Sequence, residues 1–307
     1  MLRQRLYSPK CLEDEFSEVE LRNYGVLRSS RQTADGGTMH LVERFDPPLE
    51  KRVGKEEAMS INPQDGSQPT VVLVHGAFAD ASSWNEVIKR LQAEGLQVTA
   101  PANPLRGISI DSAYIGSFLE QIPGPVLAVA HSYGGAVLTN AATNANNVLG
   151  LVYVAAFAPD EGETLGAIAS NSRDSVVLPA LVELQYPTGE GQESAVEFTI
   201  DPEKFHEVFG ADLSVEQSAL MAATQRPLSG LPFSEPTGVP AWKKLPSWAV
   251  VSSGDKVVGT DAVRSMAERA GAKITEAEGS HVIMISQPQV VVDVILTALA
   301  AVSQEEA

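Results

Sequence analysis

From residue 70 onward, short β-branched runs alternate with stretches whose apolar residues recur at helical spacing. No other feature limits the possible folds as much. Thr70–Val74, Leu96–Ala100, Pro125–Ala130, Val148–Ala156, Trp248–Ser252 and Lys273–Glu276 read as strands. Between and after them, helices are expected from Ser82–Ser83 through Leu91, over Ala113–Gln121 and Ser132–Thr143, and over 261–270 and 287–301. Repeated strand–helix–strand units imply right-handed crossovers, and so an α/β fold whose mostly parallel sheet is flanked by helices.

Residues 159–246 break this rhythm with many prolines and turn glycines, leaving helical stretches only around Ala195–Phe209 and Val215–Ala223. A structureless loop of that length is rare in a compact domain. The segment is therefore expected to be a small helical cap, inserted between the fourth and fifth strands over the carboxyl edge of the sheet, where ligands bind.

Residues 1–65 differ in character. They are polar, with little periodicity, punctuated by Gly36–Gly37, Pro47–Pro48 and Asn62–Pro63, and only Thr38–Phe45 suggests a strand. They hold 10 of the 22 basic and 12 of the 39 acidic residues, so 66–307 carries nearly all of the net charge of −17. A poorly ordered N-terminal extension is expected over 1–65, ahead of an α/β domain at 66–307. Met59 is read as the natural start, with 1–58 loosely attached.

The acidity argues against nucleic acid and against anionic membrane surfaces, both of which need clustered Lys and Arg. The longest apolar runs, such as Val148–Ala158, fall far short of the roughly 20 residues that span a bilayer. Cys11 is the only cysteine, which leaves no disulfide framework and no thiolate metal site. No apolar stretch long enough for a secretory signal follows Arg3 and Arg5, so a cytoplasmic location and a small-molecule substrate are expected. Nothing in the sequence indicates an oligomeric state.

Ala130-His131-Ser132-Tyr133-Gly134-Gly135 falls between a predicted strand and a predicted helix. A serine there would sit on a tight, strained turn that lifts its hydroxyl clear of the sheet, with the helix's positive end favouring negative charge on a reacting oxygen. Such a turn needs small residues two positions either side. Ala130 departs from the usual first glycine of G-x-S-x-G but remains small. A serine also needs a base to take its proton. Of the five histidines, His281 follows the last strand, the place the base takes in the chain order serine, acid, histidine. His206 lies in the insertion, His40 in the early segment, and the side chain of His131 is expected to point away from Ser132.

The acid that orients the imidazole is expected at Asp255, directly after the fifth strand, with Asp160 after the fourth as the alternative. Asp261 reads as a helix cap. An oxyanion hole needs two backbone N–H groups. Tyr133, after the serine, supplies one, and Ala77, in the turn His75-Gly76-Ala77-Phe78, the other. Phe205, Phe209, Leu220, Met221 and Trp242 are candidates for lining an apolar pocket, though such residues more often serve plain packing.

The runs "VLVHGAF", "SSW", "PANPLRG" and "AHSYGGAV", continued by "VYVAAFAPDEGE", "MAERAGA" and "GSHVIMISQP", resemble the α/β-hydrolase superfamily. They are similar to its small bacterial members and to the plant esterase and hydroxynitrile lyase group. The resemblance covers nearly all of 70–300 and none of 1–65. It implies the α/β-hydrolase fold, no cofactor, and a Ser132–His281–Asp255 triad acting on a small carboxylic ester or lactone. Ser132 stands where dehalogenases and epoxide hydrolases of this fold carry an aspartate. A cofactor-free lyase and a ligand receptor on the same fold stay open, because fold does not choose a substrate.

Overall fold

Runs of consecutive apolar residues, too short for helices and apolar on both faces, can bury themselves only as central strands of a covered parallel sheet. That is how the chain uses them. The computed structural model describes residues 26–32, 38–44, 68–189 and 193–305. It divides into two units, Met1–Ile61 and Asn62–Ala307.

In the first unit β1 (Val26–Gln32) pairs antiparallel with β2 (Thr38–Arg44), Val26 facing Arg44 and Gln32 facing Thr38. The second strand matches the one expected from Thr38, while Val26–Gln32 shows no sequence alternation that would announce it. The expectations of poor order for the rest of 1–65, and of a start at Met59, fall outside the described residues.

The second unit contains β3 (Thr70–Val74), β4 (Val98–Thr99), β5 (Val126–His131), β6 (Val148–Val154), β7 (Leu181–Pro187), β8 (Ser194–Ile200), β9 (Leu228–Ser229), β10 (Ser247–Ser252) and β11 (Lys273–Ala277). Six of these form one sheet in the order β11-β10-β6-β5-β3-β4, every neighbouring pair parallel. All six residues of β5 and of β10 are buried. Covering helices bury one stripe each: Val87 and Leu91 in Asn85–Ala93, and Val291, Ile295, Ala298 and Val302 in Pro288–Glu305. The chain runs from β3 outward to β4, then returns to place β5 on β3's other side. This reversal opens a crevice at the carboxyl ends of β3 and β5, where an open α/β sheet binds its ligands.

The insertion at 159–246 carries helices Leu165–Asn171, Pro202–Phe209 and Val215–Thr224, but it is not purely helical. Strands β7, β8 and β9 form a three-stranded antiparallel sheet within it, Leu181 facing Ile200 and Phe198 facing Leu228. The helix expected over Ala195–Phe209 is therefore corrected to a strand followed by a helix. Val196, Phe198 and Ile200 alternate at period two, and Pro202, preceded by Asp201, restarts the chain as a helix. The Asp201 carboxylate accepts the Glu203 N–H, and Pro202 occupies the first turn, where its missing N–H costs nothing.

One core helix also starts earlier than its sequence suggests, at Ile108 rather than Ala113. Its free N-terminal amides are satisfied by the insertion. Glu235 accepts the N–H groups of Ile108 at 2.6 Å and Ser109 at 3.0 Å.

Candidate active site

Ser132 joins β5 to the helix Tyr133–Ala141 with φ 54° and ψ −127°, a backbone region that a residue bearing a Cβ occupies only under strain. The turn closes because its neighbours lack side chains. A Cβ on Gly134 would lie 2.7 Å from the Val74 carbonyl oxygen, and one on Gly76 would lie 2.6 Å from the Ser132 Cβ. The loop after β3 and the turn after β5 are thus pressed together across the crevice. Ala130, fully buried in β5, fits where the usual pattern has glycine.

His281 arrives from the loop after β11. Ser252 Oγ donates to the carbonyls of Gly279 and Ser280, and Asp212 of the insertion accepts the Ser280 N–H at 2.9 Å. These bonds fix the loop from both sides. The imidazole Nε2 stands 2.8 Å from Ser132 Oγ, and Nδ1 stands 2.9 Å from Asp255 Oδ1. All three side chains are buried. Asp255 Oδ1 also accepts the N–H groups of Val257 at 2.8 Å and Val258 at 3.1 Å. Accepting at Oδ1 from two backbone N–H groups, this carboxylate places the ring proton of His281 on Nδ1, so that Nε2 accepts from the Ser132 hydroxyl. Asp160, the alternative acid, points elsewhere: it pairs with Lys243 at 2.6 Å and is half-exposed. The Lys243 ammonium holds its carboxyl below the usual range.

Ala77 and Tyr133 line the same pocket as Ser132, and the N–H of neither donates to another group among the described residues. The Tyr133 side chain is anchored beneath the turn, its hydroxyl donating to Asp111 Oδ2 at 2.7 Å, while Asp111 also accepts the Arg106 N–H. Burial raises the Asp111 carboxyl above its ordinary value, and the Tyr133 phenol, buried beside that carboxylate, is raised much further.

His131 does more than its sequence position suggests. It is fully buried, its Nε2–H donates to the His281 carbonyl at 2.9 Å, and its ring lies 4.5 Å from the His281 ring. With Nε2 donating, Nδ1 is unprotonated, and it has no partner among the described residues. Burial holds His131 well below the ordinary histidine value, with the neighbouring His281 adding to the effect.

The pocket beside Ser132 is small and apolar, about 30 Å³, walled by Phe78 and Phe157 and by Leu165, Val177, Leu228 and Phe233 from the insertion. None of the five sequence candidates lines it. Phe205 and Phe209 are buried against each other, with Phe209 also packing on Phe78 and His281. Leu220 is exposed. Met221 borders a separate outer cavity of about 320 Å³, and Trp242 donates to the Pro159 carbonyl. His206 meets Ser218 within the insertion. Among the described residues no group of three or more His, Cys, Asp or Glu could hold a metal ion, and no helix is long and apolar enough to cross a membrane.

Residues 71–294 match the family model described as "Alpha/beta hydrolase family". A carbendazim-hydrolysing esterase from Nocardioides sp. (strain SG-4G) is 29% identical over 131 residues, 38% of this chain and 52% of that protein; the chain thus spans about half the length of this curated relative. Among solved structures, polyneuridine aldehyde esterase superposes with a TM-score of 0.66 at 22% identity, covering 75% of this chain and 99% of the other. A pyrethroid hydrolase from Sphingobium faniae JZ-2 gives 0.62 at 20% identity, covering 76% and 98%. Tomato methylketone synthase I gives 0.63 at 19%, with the same coverage. The parallel sheet, its crevice and the family match over most of the chain lead to one statement of identity: this protein belongs to the alpha/beta hydrolase family.

Proposed function

We propose that the protein is a serine hydrolase that cleaves small carboxylic esters or lactones through an acyl-enzyme. The observation that carries this reading is the buried Ser132–His281–Asp255 hydrogen-bonded chain, with Ser132 on a strained turn facing an apolar pocket. The names of an esterase relative and of a structurally similar pyrethroid hydrolase support the reaction type.

Ser132 Oγ attacks the ester carbonyl carbon as His281 Nε2 takes the hydroxyl proton. Asp255 stabilises the resulting imidazolium through Nδ1–H. The negative oxygen of the tetrahedral intermediate accepts from the Ala77 and Tyr133 N–H groups, and losing one such donor typically costs about 10²–10³ in rate. His281 then returns the proton to the leaving alkoxide, giving the free alcohol and an acyl-Ser132. Water, deprotonated by the same imidazole, attacks the acyl carbon and releases the carboxylic acid and the serine.

The small apolar pocket beside Ser132 suits a short acyl group. Forcing a long chain into it incurs an overpacking cost of roughly 1–3 kcal/mol, or about 5–150-fold in rate. The test is steady-state hydrolysis of p-nitrophenyl acetate, butyrate and octanoate. Turnover is expected to fall with acyl length and to vanish in Ser132→Ala. Equal turnover by wild type and Ser132→Ala would overturn the reading.

A further inference from the structure

The loop that carries Ala77 is itself held, and the group holding it has no part in the chemistry described above. His75 is fully buried at the end of β3. Its Nε2 accepts the backbone N–H of Asn103 at 2.9 Å, so Nε2 bears no proton. The proton therefore sits on Nδ1, which donates to the Gly76 carbonyl oxygen at 2.8 Å. That carbonyl and the Ala77 N–H belong to one planar peptide unit. In a trans peptide the two groups point in opposite directions, so fixing the carbonyl aims the N–H.

The partners of His75 are fixed in turn. Asn103 Nδ2 donates to the His75 carbonyl at 3.1 Å. Arg226, in the insertion, donates through Nη1 to the Asn103 carbonyl at 3.0 Å, and the same nitrogen lies 3.4 Å from His75 Nε2. The Arg226 carbonyl accepts the N–H of Phe78, the residue after Ala77. Phe78 has φ 59°, so the loop holds a conformation its side chain resists.

We propose that His75 is a positioning residue for the oxyanion-binding N–H of Ala77, locked in one tautomer by Asn103 and by Arg226 of the insertion. This inference rests on the ester-hydrolase reading. His75 acts on the substrate only through the Gly76–Ala77 peptide, and its hydrogen bond to the carbonyl also polarises the N–H at the other end of that unit. The electrostatics agree with the geometry. Burial lowers the His75 pKa and the Arg226 charge adds to this, outweighing the Gly76 hydrogen bond and the Asp80 charge, which raise it. The insertion thus reaches the reaction centre twice, through Arg226 to the oxyanion loop and through Asp212 to the His281 loop.

The test compares wild type, His75→Leu, His75→Asn and Arg226→Met, first for thermal stability and then for hydrolysis of p-nitrophenyl acetate. Inhibition by a small trifluoromethyl ketone, whose serine adduct carries the oxyanion, is measured alongside. Asparagine places its Nδ2 where His75 has Nδ1 and can keep the bond to the Gly76 carbonyl; leucine cannot. His75→Leu is expected to lose a large part of the roughly 10²–10³ attached to one oxyanion donor. The loss should fall in kcat with KM within threefold, accompanied by a similar weakening of the ketone. His75→Asn should recover most of it, and Arg226→Met should show a smaller loss of the same kind. If His75→Leu does not fold, the Arg226→Met split between kcat and KM and its ketone affinity decide the matter. Folded variants that keep kcat and ketone affinity within threefold of wild type would overturn the inference while leaving the hydrolase reading intact. So would a loss in His75→Leu that asparagine fails to restore. A wild type that hydrolyses no ester and binds no ketone would overturn both.

Discussion

On the proposed mechanism, replacing Asp255 with asparagine separates the two tasks of the orienting acid. In the structure Asp255 Oδ1 accepts from His281 Nδ1, Val257 N–H and Val258 N–H, whereas Oδ2 is buried with no partner among the described residues. An asparagine therefore settles one way round. Its oxygen takes the Oδ1 place, where two backbone donors require it, and its NH₂ takes the empty Oδ2 side. The Nδ1–H of His281 keeps an acceptor, and the ring keeps its tautomer. What disappears is the charge opposite the imidazolium. With both groups wholly buried, two unit charges about 4 Å apart at an effective dielectric near 20 interact by about 4 kcal/mol. That corresponds to roughly 10³ in rate, below the roughly 10⁴-fold loss seen where a carboxylate-to-amide change also flips the tautomer. The assay is kcat and KM for p-nitrophenyl acetate at pH 7.5, with Asp160→Asn as the companion variant. Asp255→Asn is expected to fall about 10³-fold in kcat with KM little changed, and Asp160→Asn to stay within twofold of wild type. A loss below tenfold for Asp255→Asn, or above a hundredfold for Asp160→Asn, would refute the reasoning.

Two further outcomes follow from packing and burial. A Cβ on Gly135 would lie 2.2 Å from the Phe157 carbonyl oxygen, so Gly135→Ala must displace backbone. It is expected to cost about 3 kcal/mol and to lower Tm by roughly 6–12 °C, and an unchanged melting curve would contradict this close approach. His75 and His131 both have pKa values below the ordinary 6.5 in the folded state because burial disfavours their charged forms. Below about pH 6.5 the unfolded chain therefore binds more protons, so their contribution is fully present above that pH and is lost as the pH falls. The slope is up to about 1.4 kcal/mol per pH unit for each ring. Asp111, raised by burial, works in the opposite direction above the ordinary carboxyl value of 3.8. Urea unfolding from pH 5 to pH 7.5 should give midpoints that rise with pH, and a flat profile would count against neutral buried rings.

The parts that could be read from the sequence are those in which local pattern and tertiary role coincide. Val71–Val74 and Val126–Ala130 are apolar on both faces because both faces are covered, and the small residues around Ser132 reflect a turn that leaves no room for side chains. The glycine of the His75–Phe78 turn has the same cause, since a Cβ on Gly76 would lie 2.6 Å from the Ser132 Cβ. What escaped notice depends on partners distant in sequence. The start of the helix at Ile108 needs Glu235, 127 residues later. The strand at Ser194–Ile200 runs into the helix that begins at Pro202, so Val196, Phe198 and Ile200 blended with Phe205 and Phe209 into one apparent helical stretch. The three-stranded sheet of the insertion depends on pairing β8 with β7 and β9, which no local pattern announced. His131 looked incidental beside Ser132 because its partner is the His281 carbonyl, 150 residues away. The sequence favours Asp255 over Asp160, and the contact of the Asp255 carboxylate with His281 Nδ1 is visible only in three dimensions, since both acids follow strand ends.

The central claim is that Ser132 is an activated nucleophile, and covalent trapping addresses it most directly. Wild-type protein incubated with a small fluorophosphonate at pH 7.5 is examined by intact mass and by peptide mapping. One adduct per chain is expected, on the peptide containing Ser132, absent from Ser132→Ala and formed far more slowly in His281→Gln. No adduct on the wild type, or undiminished labelling of Ser132→Ala, would contradict the account.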